Sequence, residues 1–106
     1  MKTRGFLALI AVLAVAVALP MFAADPDGAA LYKGKCAMCH GPDGAGQTAT
    51  GKSMKVRDLR SADVQKQTDK EMTTIVTDGK GKMPAYKGKL SDAEIAAVVK
   101  YIKTLK

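Results

Sequence analysis

The chain has 106 residues, of which 47% are hydrophobic and 25% are charged, a length that suits one small domain. Its 17 Lys and Arg residues exceed its 10 Asp and Glu residues, so the net charge is +7. This balance favours acidic partners or serves solubility. A nucleic-acid partner is disfavoured, because no known nucleic-acid-binding motif is present.

The N-terminal segment has the three-part layout of a secretory signal peptide. A short basic region precedes an apolar run over residues 6–19, and a small-residue stretch follows that ends at Ala24. We therefore expect a leader over residues 1–24 and a domain over residues 25–106. The apolar run and the small-residue stretch together are just long enough to span a bilayer, so an uncleaved anchor is the alternative. Either version places the domain outside the cytoplasmic membrane, in the periplasm.

The first predicted helix runs over residues 25–38, with Asp27 as its N-cap. Near its end, the only two cysteines and the only histidine lie within Cys36-Ala37-Met38-Cys39-His40. Cys-x-x-Cys-His is the attachment signature of c-type haem. Each thiol forms a thioether with one vinyl group of the porphyrin, and the adjacent imidazole binds the iron. The motif therefore predicts one covalently bound haem c on Cys36, Cys39 and His40.

Three other readings of the cysteine pair have less support. A thioredoxin-like redox pair belongs beside a strand–helix–strand pattern, which is lacking here. A closed zinc site needs four ligands, and the chain has no further Cys or His to supply them. A plain disulfide remains compatible with an exported protein. At 82 residues without the leader, the domain is small enough to need a staple, and a covalently bound haem would provide one.

Helical patterns dominate the rest of the chain, and no run alternates with period two. A glycine-rich stretch over residues 41–52 is predicted as a loop that lets the backbone wrap closely around the haem. Three helical segments follow it. Their predicted starts are a Ser61 cap before residues 62–66, a capping box at Thr68–Glu71 whose helix ends at Gly79, and a second box at Ser91–Glu94 whose helix reaches Leu105.

The sixth position of the iron can be filled from within the chain only by a methionine, because there is a single histidine. Met38 lies inside the attachment motif, on the wrong side of the ring, and Met72 falls on an apolar helix face that suits the core. Met83 precedes Pro84, which forces it into an extended conformation, and glycines flank the loop. We predict Met83 as the second ligand of the iron, with Met54 as the alternative.

The sequence resembles the short bacterial class I cytochromes c over about residues 25–105. The resemblance rests on the attachment motif near the end of the first helix, on the later Met83-Pro84 pair and on the final amphipathic helix. It implies an all-α fold of about four helices packed around one covalently bound haem, with the N- and C-terminal helices crossing. The residues that it places at the crossing are Gly28 and Tyr32 on the first helix and Val98 and Tyr101 on the last.

Iron held by His40 and Met83 has both axial positions filled, so the predicted function is transfer of single electrons and not enzymatic catalysis. The expected partners are redox proteins with acidic docking faces, met by a monomer through lysines around the haem edge. Membrane association is expected only if the N-terminal segment is retained. Two alternatives stay open: a haem subunit of a larger oxidoreductase, and a ligand-binding or peroxidatic protein with an open distal site. Candidate partners for the haem propionates are Arg57, Lys52 and Tyr86.

Overall fold

The computed structural model describes residues 10–16 and 25–106. This part of the chain is helical, and its only β-type pairings are two isolated bridges. The prediction of a small all-α fold is confirmed. The helices are α1 (Gly28–Lys35), α2 (Ala37–His40), α3 (Ala49–Met54), α4 (Ala62–Gln65), α5 (Asp69–Asp78) and α6 (Asp92–Ile102).

The predicted leader over residues 1–24 lies outside the described residues, except for residues 10–16. That short stretch forms no helix, and its large apolar side chains are exposed. Within the part of the chain that the structure describes, no helix has the length and apolar character needed to cross a membrane.

Side-chain caps start the helices at the predicted positions. The Asp27 carboxylate accepts a hydrogen bond from the Ala30 N–H at 3.2 Å, so it caps α1. Both predicted capping boxes are formed, at the start of α5 and at the start of α6. Gly79 ends α5 with φ 76°, a conformation that glycine adopts without strain.

Several predicted boundaries are wrong. The first helix begins at Gly28 and not at residue 25, and it does not run unbroken to residue 38, because it is interrupted at Cys36, where φ is −113°, between α1 and α2. The predicted loop over residues 41–52 contains the start of α3, since the Thr48 hydroxyl caps it by accepting from the Gly51 N–H at 2.8 Å. The last helix ends at Ile102, three residues before the predicted end.

The first and last helices cross at close range, as the resemblance implied. A Cβ added to Gly28 would overlap the carbonyl oxygen of Ala97 and would lie 2.7 Å from its carbonyl carbon. One turn further along α1, the centre of the Tyr32 ring lies 5.2 Å from the centre of the Tyr101 ring. Gly28, Tyr32 and Tyr101 are therefore confirmed at the crossing. Val98 is fully buried in the core cluster that also contains Tyr32, and the group that faces Gly28 directly is the backbone of Ala97.

Side-chain hydrogen bonds tie the short helix α4 to the end of α6. The Gln65 side-chain amide donates to the Leu59 carbonyl at 2.6 Å and to the Ile102 carbonyl at 3.0 Å. In return, the Lys103 ammonium donates to the carbonyls of Gln65 and Gln67. These bonds hold α4 against the end of α6, and both helices contribute side chains to the cavity described below.

Candidate functional site

The attachment motif occupies a single turn of chain directly after α1. The Cys36 N–H donates to the Tyr32 carbonyl at 2.8 Å, which continues the hydrogen bonding of α1. The Cys36 carbonyl then accepts from the N–H groups of Cys39 and His40, at 3.2 and 3.0 Å. Cys36 is buried and Cys39 is half-buried. One turn thus carries two thiols and an imidazole, in the order that haem attachment requires.

A cavity of about 480 Å³ opens beside this turn. Its wall is mainly apolar and is supplied by α4, α5, α6 and the chain after α3, for example by Val64, Val76 and Ile102. The four residues predicted to hold the haem, Cys36, Cys39, His40 and Met83, all line it. The donor set therefore fits haem c: two thiols and an imidazole come from the attachment turn, and a thioether comes from the loop after α5 in another part of the same lining.

The hydroxyl of Thr48 links α3 to the attachment turn. It donates to the Cys39 carbonyl at 3.0 Å while it accepts the capping bond from Gly51. Helix α3 consequently packs against α2. A threonine directly before a helix-forming alanine is an N-cap signal that could have predicted α3, but it does not predict the bond to the Cys39 carbonyl.

The imidazole of His40 is in the form that suits a metal ligand. Its Nδ1 atom is buried and makes no hydrogen bond of acceptable geometry with the described residues. Burial lowers the pKa of His40, and the backbone of Arg57 only partly offsets that effect. The ring is therefore neutral at neutral pH, which leaves a nitrogen lone pair free to bind a metal.

The loop that carries Met83 is a tight turn. Lys80 and Met83 exchange two backbone hydrogen bonds, of 3.2 and 2.9 Å. Gly79 precedes this turn, and a Cβ there would lie 2.7 Å from the Met83 carbonyl oxygen and 2.9 Å from the Ala85 nitrogen. Glycine is required at this position because any side chain would push the turn away from α5.

Four methionines line the cavity, which makes the choice of ligand a matter of their surroundings. Met72 is buried and belongs to the core, as predicted. Met38 is 75% exposed. Met54 and Met83 are both half-buried. Met54 ends α3, the helix that packs on the attachment turn itself, whereas Met83 lies on the separate loop after α5 and packs against the core.

The charged residues that line the cavity are all basic: Lys35, Lys55, Arg57, Lys80 and Lys82. Of the three candidate propionate partners, Arg57 and Tyr86 are among the lining residues and Lys52 is not. The Tyr86 hydroxyl donates its single proton to the Lys35 carbonyl, which leaves Arg57 as the lining candidate with free donors. Lys55 lines the cavity instead of Lys52. Its φ of 54° lies in the left-handed region that few residues other than glycine adopt. No signal in the sequence marks Lys55 for that conformation.

Comparisons with known proteins identify the family. Residues 23–102 match the family described as "Cytochrome C oxidase, cbb3-type, subunit III". A cytochrome c6 from Leptolyngbya boryana is 39% identical over 75 residues, which is 71% of this chain and 85% of that protein.

Solved structures of c-type cytochromes have the same fold. The structure titled KustC0563 c-type cytochrome is 32% identical, covers 76% of this chain and 98% of its own, and superimposes with a TM-score of 0.70. Cytochrome c6C from Synechococcus sp. PCC 7002 is 34% identical, covers 73% and 90%, and has a TM-score of 0.58. The predictions of a cytochrome c, of haem c and of an electron carrier are confirmed. The chain belongs to the small monohaem class I cytochromes c, electron-transfer proteins with a covalently bound haem c that act with redox partners.

Proposed function

We propose that this protein carries single electrons through a haem that four of its residues hold. Cys36 and Cys39 bind the porphyrin through thioethers, and His40 and Met83 ligate the iron from opposite faces. The observation that carries this proposal is the cavity, because all four side chains line one apolar space. The iron of haem c, when bound, supplies the one-electron couple.

The residues around the cavity suit electron transfer and not substrate chemistry. With haem c bound, the neutral imidazole of His40 and the thioether of Met83 would both hold the iron, and no site on the metal would be left for a substrate. The thioether of Met83 favours the reduced state and raises the potential. The apolar wall excludes water. In the attachment turn, the backbone N–H groups of Cys39 and His40 both donate to the Cys36 carbonyl, which holds these two residues in place.

Met83 is favoured over Met54 by its separate support. Met54 belongs to the helix that packs on the same turn as His40, whereas Met83 comes from the loop after α5. Two ligands on opposite faces of a flat ring must come from separate walls. The tight turn between Lys80 and Met83 also fixes the backbone of Met83, which lowers the entropy lost when its sulfur binds.

The variants Met83→Ala and Met54→Ala test the assignment as a matched pair. The oxidised wild-type protein should show the sulfur-to-iron charge-transfer band, and the reduced protein should bind carbon monoxide slowly. We expect Met83→Ala to abolish the band and to bind carbon monoxide rapidly, and Met54→Ala to keep both properties. If Met54→Ala abolishes the band, the ligand is Met54. Absence of the band in the wild type would support the alternative with an open distal site.

We further propose that residues 1–24 are a leader that is removed on export and that residues 25–106 form the periplasmic domain. The proposal is supported by the basic, apolar and small-residue order of the leader. The mass of the protein recovered from the periplasm tests it, because cleavage after Ala24 removes 24 residues. A retained leader would instead give the mass of the full chain and recovery with the membrane fraction.

The partners that we propose are redox proteins with acidic docking faces, which a monomer meets at the haem edge. Among the described residues that line the cavity, five are basic and none is acidic, and all five are exposed, so the open side of the cavity is positively charged. This field should speed encounter with an acidic protein, and salt should screen it beyond about 8–10 Å. Lys82→Glu should slow reduction by an acidic partner more than Lys100→Glu, an equal charge change outside the cavity lining. Equal rates in the two variants, or rates that do not fall with salt, would refute the steering.

The matched family description supports a second candidate role, as a haem subunit of a larger oxidoreductase. The free carrier is favoured because the cytochrome c6 relative is matched over 85% of its length, which leaves little of that protein outside the match. Size-exclusion chromatography of the natively produced protein separates the two roles. A small species of one haem per chain supports the carrier, and elution with other subunits supports the complex.

A further inference from the structure

The segment over residues 79–90, here called the ligand loop, is anchored to the end of α5 by backbone hydrogen bonds. The Tyr86 N–H donates to the Val76 carbonyl at 3.0 Å, and the Lys87 N–H donates to the Thr77 carbonyl at 3.1 Å. Both anchors lie on one side of the cavity. They do not connect the ligand loop to the attachment turn, where the other haem-binding residues lie.

One hydrogen bond makes that connection. The Tyr86 hydroxyl donates to the Lys35 carbonyl at 2.9 Å, across 51 positions of the sequence. Among the hydrogen bonds formed by residues 25–106, it is the only one that joins the ligand loop to residues 28–41. Lys35 directly precedes Cys36, so the bond ends beside the first thiol of the attachment motif.

The surroundings of Tyr86 keep the phenol in place. The residue is half-buried, packs against the core and lines the cavity. Burial raises its pKa, so the hydroxyl keeps its proton and remains a donor at neutral pH. On the outer side, the Lys89 ammonium lies 5.9 Å from the centre of the ring.

We propose that the Tyr86 hydroxyl, through its hydrogen bond to the Lys35 carbonyl, latches the ligand loop to the attachment turn and thereby slows loss of Met83 from the iron. This inference rests on the proposed ligation by Met83. Tyr86 is a positioning residue, because it does not ligate the iron and acts only through its hydrogen bond to the Lys35 carbonyl. A thioether is a weak ligand, so its residence on the iron depends on how often the ligand loop opens.

Tyr86→Phe removes the latch and keeps the ring. One neutral hydrogen bond of this kind shifts an equilibrium about fivefold, so imidazole should bind the oxidised variant about fivefold faster than the wild type. Tyr32→Phe is the matched control, because the Tyr32 hydroxyl also donates to a backbone carbonyl, that of Gly41 at 2.7 Å. Tyr32 is buried and does not line the cavity, so its variant should lose global stability without faster imidazole binding.

A second measurement detects opening of the ligand loop without depending on binding to the iron. Amide hydrogen exchange at Met83 and Lys87, whose N–H groups are bonded within the ligand loop and to α5, should quicken about fivefold in Tyr86→Phe and stay unchanged in Tyr32→Phe. Unchanged exchange in Tyr86→Phe, or equal acceleration in both variants, overturns the latch. If the wild type lacks the sulfur-to-iron band, Met83 does not ligate the iron. The exchange rates at Met83 and Lys87 then still test whether the Tyr86 hydrogen bond restrains the ligand loop.

Discussion

The crossing of α1 and α6 at Gly28 offers a sharp test of what holds this small domain together. In Gly28→Ala, the added Cβ would overlap the Ala97 carbonyl oxygen and would lie 3.3 Å from the Cβ of Tyr101. The two nearest atoms on α6 belong to the backbone of Ala97, and the third is the Cβ of Tyr101, so none of them can rotate away as a side-chain tip can. The two helices must therefore separate, and the Tyr32–Tyr101 contact loosens with them.

The cost can be estimated from the kind of strain involved. Overpacking a tight contact typically costs about 1–3 kcal/mol, and a contact made by backbone belongs at the upper end, so we expect a loss of about 2–3 kcal/mol. For a domain of this size, 1 kcal/mol corresponds to about 4–8 °C in Tm, so the midpoint should fall by roughly 10–20 °C. Urea unfolding of the oxidised protein, followed by far-ultraviolet circular dichroism, measures the free energy directly.

Gly34→Ala is the matched control on the same helix. A Cβ at Gly34 meets nothing within 4 Å, so this variant should gain stability, by about 0.5–1 kcal/mol, from the better helix propensity of alanine. The two variants make the same chemical change in α1 with opposite expected signs. If Gly28→Ala is as stable as Gly34→Ala, the close crossing does not exist in solution.

Two further predictions concern the haem as a staple and the attachment of α4. The haem-free chain should be largely unfolded, so that its two cysteines react with iodoacetamide at equal rates. If it kept the fold, burial and the nearby Cys39 would raise the pKa of Cys36 from 9.0 to about 11, and Cys36 would react roughly 100-fold more slowly at pH 7.5 than an unfolded thiol. Peptide mass spectrometry measures both rates, and a lag at Cys36 alone would contradict the prediction. Lys103→Met should cost about 1–3 kcal/mol in urea unfolding, because the carbonyls of Gln65 and Gln67 lose their donor. Lys100→Met, an exposed lysine of α6, should change stability by less than about 0.5 kcal/mol, and equal losses in the two variants would show that the Lys103 bonds contribute nothing.

The features that the sequence predicted well are those with local causes. The capping boxes at Thr68 and Ser91 involve residues three positions apart, so the starts of α5 and α6 follow from short-range hydrogen bonding. Gly79 ends α5 for an equally local reason, its positive φ. The attachment motif is also local, because haem attachment fixes the order and spacing of its residues.

The features that the sequence did not predict depend on distant partners. Helix α3 is only six residues long, and the hydroxyl that caps it also bonds the Cys39 carbonyl, which no pattern in residues 41–52 reveals. At the end of α6, the Ile102 carbonyl accepts from the Leu105 N–H at 3.1 Å and from the Gln65 amide, which lies 37 positions away in the sequence. The bond between Tyr86 and Lys35 spans 51 positions and exists only once the fold brings α1 and the ligand loop together.

The proposed function depends on one haem that is bonded to this chain through both Cys36 and Cys39. Acid–acetone extraction of the protein matured in an exporting host, followed by mass spectrometry of its peptides, measures this attachment. We expect that the colour stays with the polypeptide and that the peptide containing residues 36–40 carries the mass of one haem. Colour that passes entirely into the acetone, with both thiols free on that peptide, would contradict it.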